Sequence, residues 1–248
     1  MAILDLFEEG SKLAYEKCVP HISIDCVVFG FHESSMKVLL LKMKGTDKWG
    51  LPGGYMKKNE NIDQAASRIL KARTGASDIY LEQFKVFSNI GRSEGDFAHL
   101  PKHFWQRQRF LSVGCYALVN YNEIDPRVDK ISEACEWRTI DELPELMMDH
   151  QEIFSAALHT LRRNLNYSPV GFNLLPKEFT MPQLQRLYEA ILGKPLHRGN
   201  FQRKIHGFDI LVKRSKTDSS SNARSPILYS FDLEKYNEAL KNGLQQDW

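Results

Sequence analysis

Two apolar runs lie near the start of the chain, residues 22–31 (ISIDCVVFGF) and 36–43 (MKVLLLKM). Both are rich in β-forming residues, and the turn-like HESS between them predicts a β-hairpin. A glycine loop follows, then a helix from about Asn61 to Thr74 that Gly75 closes. Further strands are expected over 79–91, 109–120 and roughly 134–140. From Asp149 to about Asn164 the apolar residues Ile153, Phe154, Ala157, Leu158 and Leu161 recur at i, i+3, i+4 spacing. That period predicts a helix with one buried stripe. Strands interleaved with helices make this region α/β or α+β.

The pattern changes near Asn166, where NYSPVGFNLLPKEFTMPQ carries three prolines and marks a boundary. Two domains are therefore expected, residues 1–166 and 167–248. In the second, Thr180 reads as an N-cap with Pro182 tolerated in the first turn. Leu184, Leu187, Tyr188, Ile191 and Leu192 form a helical stripe that Gly193 and Pro195 end. A second helix (GNFQRKIHG), a strand (FDILVK), a serine-rich tip (RSKTDSSSNARS) and another strand (PILYSF) follow. Helix, turn, helix and β-hairpin is the order of a winged helix-turn-helix.

Composition adds little except through its distribution. At 248 residues, 42% apolar and 26% charged, the chain is ordinary for a soluble globular protein. No segment approaches the ~20 apolar residues of a membrane span, and the first 20 residues lack the apolar run of a secretory signal. The four cysteines lie far apart, without zinc or disulfide spacing, and are read as reduced thiols in a cytoplasmic protein. Between Lys194 and Arg224, eight basic residues face two acidic ones, a local +6 in a chain of net +2. The remainder is net −4. Such asymmetry is the footprint of a nucleic-acid surface.

The stretch GGYMKKNENIDQAASRILKARTGA (53–76) resembles the signature of the Nudix hydrolases, G-x5-E-x7-R-E-U-x-E-E-x-G-U with U aliphatic. Gly54, Glu60, Arg68, Leu70 and Gly75 match it, whereas Ile69, Ala72 and Arg73 stand where it has glutamates. Those three positions share one helix face. Three carboxylates there would hold Mg²⁺ against a pyrophosphate, because hard cations need oxygen ligands. An isoleucine, an alanine and a fixed positive charge cannot, so neither a metal, a cofactor nor a catalytic residue is expected.

What the resemblance leaves is a pocket between the strands and the loop-helix. Asp25, Lys42, Trp49, Gly53, Gly54, Glu60 and Arg109 are the candidate effector-binding residues, an aromatic face with a few converging charges. In the second domain, Phe201, Ile205 and Phe208 should face the core and leave the neighbouring side free. Asn200 and Arg203 could then read adenine and guanine in a major groove. Lys204 and the wing residues Lys213, Arg214, Lys216 and Arg224 would meet phosphates, and Arg198 is a further DNA-binding candidate.

Together the halves resemble the Nudix-related transcriptional regulators, on the box remnant, on IDCVVFGF and on GFNLLPKEFTMPQLQRLYEAILGKPLHRGNFQRKI. The resemblance implies a Nudix-like α/β/α sandwich with a mixed sheet, followed by a winged helix. It also implies binding to double-stranded operator DNA under control of a small effector. A homodimer on a two-fold operator is expected, with helix 149–164, which feeds the linker, as the lever. The match looks nearest the pentose-responsive branch (arabinose or xylose). Regulators of NAD metabolism responding to ADP-ribose are the alternative. Two other readings are a divergent hydrolase using Glu60 with Glu94 or Asp96, and a winged helix that grips a protein.

Overall fold

The computed structural model describes residues 3–75, 79–214 and 226–244. The chain forms two compact units, one of residues 1–30 and 37–157, the other of residues 31–36 and 158–248.

The first unit opens with helix α1 (Ile3–Lys17), which the sequence pattern did not predict. Strands β1 (Cys18–His32) and β2 (Ser35–Met43) make the expected hairpin. Then come β3 (Trp49–Gly50), β4 (Gly53–Lys57), α2 (Ile62–Thr74), β5 (Tyr80–Phe87), β6 (Leu111–Leu118) and β7 (Ser132–Thr139). Helix α3 (His150–Asn164) carries the chain into the second unit. The seven strands form one mixed sheet in the order β3-β2-β1-β6-β5, with β4 on β1 and β7 on β2. β1 and β6 run parallel, pairing Ile22 with Leu111 through Phe29 with Leu118.

Period-two alternation divides β1 between two layers. Ile24, Cys26 and Val28 pack with Ala65, Ala66, Ile69 and Leu70 of α2. Phe29, of the alternate set, meets Phe154 of α3, ring centroids 6.1 Å apart. The sheet is thus covered by α2 on one face and α3 on the other. α2 is closed locally at both ends: Asn61 and Gln64 form a capping box, and Gly75 ends the helix at φ 72°.

The second unit contains β8 (Phe179–Thr180), α4 (Met181–Leu192), α5 (Arg198–Gly207), β9 (Leu211–Arg214), β10 (Leu228–Phe231) and α6 (Leu233–Asn242). β8, β10 and β9 form a three-stranded antiparallel sheet beside the two helices. Thr180 caps α4 through a capping box with Gln183, and Gly193 closes it at φ 69°. This is the winged helix-turn-helix that the residue order predicts.

Candidate functional site

The first unit holds a cleft with an empty volume, counted out to open solvent, of about 770 Å³. β1, β2 and β4 supply Asp25, Leu41, Met43, Gly53, Gly54 and Tyr55, Leu51 comes from the link between β3 and β4, and the segment between β5 and β6 adds Arg92, Ser93, Phe97, Gln106 and Phe110. Asp129, Ile131 and Met147 line it as well, as does His150, the first residue of α3. Apolar walls with a few polar groups are the usual make-up of a small-molecule site.

Asp25 sits in a buried polar cluster. Ser112 Oγ donates to its Oδ2 at 2.5 Å, and Arg92 Nη2 donates to the same oxygen at 3.2 Å. Arg92 also grips Asp149 with two hydrogen bonds of 2.7 and 2.6 Å. His150 Nδ1 accepts from the Leu51 N–H at 2.9 Å, which leaves the ring proton on Nε2, 3.6 Å from Asp25 Oδ1. Burial, the largest single influence on Asp25, opposes ionisation, but His150, Arg92 and Ser112 together outweigh it and hold the carboxyl at about 2. The base of the cleft is therefore a fixed set of charges.

Three buried polar atoms of residues on this cleft have no hydrogen-bond partner: Ser93 Oγ, Gln106 Oε1 and His150 Nε2. Asp25, Gly53 and Gly54 lie on the lining; Lys42, Trp49, Glu60 and Arg109 do not. Alternation along β2 turns Leu41 and Met43 toward the cleft and Lys42 away, where it pairs with Glu133 at 2.7 Å. Trp49 is buried beneath the Arg138 guanidinium, 4.4 Å from its ring. Arg109 is exposed and donates to the Ser88 carbonyl, while its neighbour Phe110 takes the lining position. Glu60 is spent on structure. It accepts from Arg68 Nε at 2.9 Å, Arg68 Nη2 at 2.6 Å and the Lys57 N–H at 2.8 Å. Arg68 and that amide lower its carboxyl against the opposing effect of burial.

The altered helix face also has a defined packing. A Cβ on Gly54 would lie 3.1 Å from Ile69 Cδ1, so the isoleucine fills the space against the glycine loop. Ala72 is exposed, and Arg73 pairs with Asp129 at 2.6 Å. Among the described residues, no three His, Cys, Asp or Glu side chains gather as a group that could hold a metal ion. Nor is any described helix long and apolar enough to cross a membrane.

In the second unit, Phe201 and Ile205 of α5 are buried and Phe208 is half-buried, with the Phe201 ring 5.3 Å from that of Tyr188. Arg198, Asn200, Arg203 and Lys204 are exposed on the helix, and Lys213 and Arg214 on β9. Arg198 and Arg203 form no ion pair with any described residue. Lys204 reaches Asn166 at 3.3 Å, and Arg214 donates to Ser230 Oγ at 2.7 Å. Lys216 and Arg224 lie outside the described residues. The turn before α5 is fixed by Glu189, which accepts from the Leu196 N–H at 2.8 Å. His197 caps α5 through the Asn200 N–H, a role that sequence reading missed.

A sheet flanked by helices, a glycine loop leading into α2 and a cleft over β1 define a Nudix domain, here followed by a winged helix. Residues 19–158 match the family model of the NUDIX domain, and residues 171–231 that of the NrtR DNA-binding winged helix domain. The chain belongs to the Nudix family. It is 28% identical over 226 residues to the ADPR responsive transcriptional repressor NtrR of Acinetobacter baylyi, a match covering 88% of this chain and 84% of that protein. It also resembles Shewanella oneidensis NrtR complexed with a 27mer DNA, at 25% identity and a TM-score of 0.69, covering 92% of this chain and 99% of that one. A MutT/nudix family protein from Enterococcus faecalis shares the fold at 18% identity and a TM-score of 0.64, covering 92% and 97%.

Proposed function

We propose that this chain is a metabolite-responsive transcriptional regulator, in which the Nudix cleft binds ADP-ribose and the winged helix binds operator DNA as a homodimer in the cytoplasm. The observation that carries the reading is the joint state of the two units. The helix face that would hold Mg²⁺ is occupied by Ile69, Ala72 and the Arg73–Asp129 pair, while α5 presents unpaired Arg198 and Arg203. A Nudix helix face without the signature glutamates, in a chain that also carries a basic helix, suits sensing better than turnover.

The pentose preference gives way to its alternative. The Acinetobacter relative is named an ADPR responsive repressor, and the chain also resembles Shewanella oneidensis NrtR over 92% of its length. The hydrolase reading loses support because Glu60 is committed to Arg68, and Asp96 to Lys48 at 2.8 Å and the Met148 N–H. Asn200 and Arg203 remain the proposed base readers, with Arg198, Lys204, Lys213, Arg214, Lys216 and Arg224 at phosphates.

The test is a gel shift with promoter fragments, with and without ADP-ribose, at several salt concentrations. Binding should weaken as salt rises, since phosphate contacts release counterions. ADP-ribose should change the affinity, and Arg203→Ala should reduce it by about tenfold. DNA binding indifferent to ADP-ribose would refute the effector. Release of AMP from ADP-ribose and Mg²⁺, abolished by Glu60→Gln, would make the protein an enzyme.

A further inference from the structure

Folded proteins leave few buried polar atoms unpaired, yet three belong to the lining of this one cleft. Ser93 is 5% exposed and His150 2%, so solvent does little for Ser93 Oγ or His150 Nε2. Their chemistry is specific. Gln106 Oε1 is an acceptor that lacks a donor. His150 Nε2 carries the ring proton, since Nδ1 accepts from the Leu51 N–H, and the acceptor it faces, Asp25 Oδ1, lies beyond hydrogen-bond distance at 3.6 Å. The Ser93 hydroxyl can serve in either sense.

A ligand hydroxyl donates and accepts at once, whereas an ionised phosphate oxygen only accepts and would leave Gln106 unpaired. Charge points the same way. At the cleft base Asp25 and Asp149 share the single guanidinium of Arg92, and the His150 ring lies 3.6 Å from Asp25, so the cationic groups there are already taken up by carboxylates and a phosphate finds none to pair with. Neutral hydroxyls need no such partner.

We propose that Ser93, Gln106 and His150 form a hydroxyl-binding group that takes ribose hydroxyls of the effector and keeps its phosphates away from the base of the cleft. The proposal rests on the ADP-ribose reading for its ligand, but its chemistry is that of a sugar diol. ADP-ribose has two riboses, and fragments of it tell them apart.

The experiment is titration calorimetry of the full-length protein with ADP-ribose, ADP and ribose 5-phosphate, repeated on Ser93→Ala and Gln106→Leu. Gln106→Leu should weaken ADP-ribose by about tenfold or more and Ser93→Ala by several-fold. The fragment that weakens in parallel identifies the ribose held. The melting temperature of the unliganded variants should stay level or rise, because an unpaired buried polar atom is removed. ADP-ribose binding within twofold of the unmodified protein in both variants overturns the proposal and leaves the effector reading intact. Loss of binding accompanied by a lower melting temperature in both variants assigns these residues to packing and overturns it as well. If ADP-ribose fails to bind but ribose 5-phosphate does, and the variants weaken it, the hydroxyl group stands and the effector reading falls. If no probe binds the unmodified protein, both fall.

Discussion

Gly53 is a glycine because of its partner across the strand pair. A Cβ there would lie 2.5 Å from Asp25 Oδ1 and 3.1 Å from the Ile24 carbonyl, so a side chain would expel the carboxylate from its place. Asp25 is ionised where it lies, and that has a pH signature. Its carboxyl falls from an ordinary 3.8 to about 2 on folding. A depressed acid stabilises fully above its unfolded value, and the gain disappears as pH falls through the folded one. The window is therefore pH 4 to 2, and the contribution is about 2 kcal/mol. Urea unfolding at stepped pH should show the protein losing that much more than Asp25→Asn over the window; parallel curves would remove Asp25 as the acid-sensitive group. Asp25 could be picked out in the sequence as a lone carboxylate in an apolar strand. Lys42, Trp49 and Arg109 could not be judged so well, yet each is next to a lining residue (Leu41 and Met43, Gly50, Phe110). The sequence locates the segments at the cleft, but which side of a strand faces it depends on register, and that is a tertiary property. Arg92, Ser93 and Gln106 carried no local signal, being ordinary polar residues in a connection without periodicity.

Helix α2 is the element on which the reading of a silent Nudix domain depends. Its ends were legible because Asn61, Gln64 and Gly75 are local signals, and so were Thr180 and Gly193 at α4. α1 and α6 were missed for a physical reason. The buried positions of α1 are Phe7, Ser11 and Ala14, and α6 buries only Tyr236, so neither shows an aliphatic stripe. In α2 the stripe includes Ile69, which is 4% exposed and packs with Leu70, Ala65 and β1. Ile69→Glu, which would restore one signature carboxylate, buries a charge in place of an apolar group. It should cost about 3 kcal/mol or more, read as a lowered urea midpoint. A variant as stable as the parent, or one stabilised by Mg²⁺, would mean that the metal face is still available.

For the whole molecule the question is how a ligand in one unit affects DNA binding by the other. The polarity was visible in the sequence: the basic residues gather after Lys194 and leave the rest net acidic. The connection is also nameable. Arg92, whose neighbour Ser93 lines the cleft, holds Asp149 at 2.6 Å immediately before α3, and α3 carries the chain onward into the second unit. A ligand moves an equilibrium only by its difference in affinity for the two states. A coupling of about 1–3 kcal/mol changes operator affinity by roughly 5- to 150-fold. Linkage then makes a demand that is independent of the direction of the effect. Whatever factor ADP-ribose imposes on the operator dissociation constant, saturating operator must impose on that of ADP-ribose. Both factors can be measured by titration, one with labelled DNA and the other with calorimetry on the preformed complex. Arg92→Lys, which keeps the charge but loses the two-pronged grip on Asp149, should shrink both factors together, whatever it does to either single affinity. Full coupling in that variant would show that the signal leaves the cleft by a route other than Arg92 and Asp149.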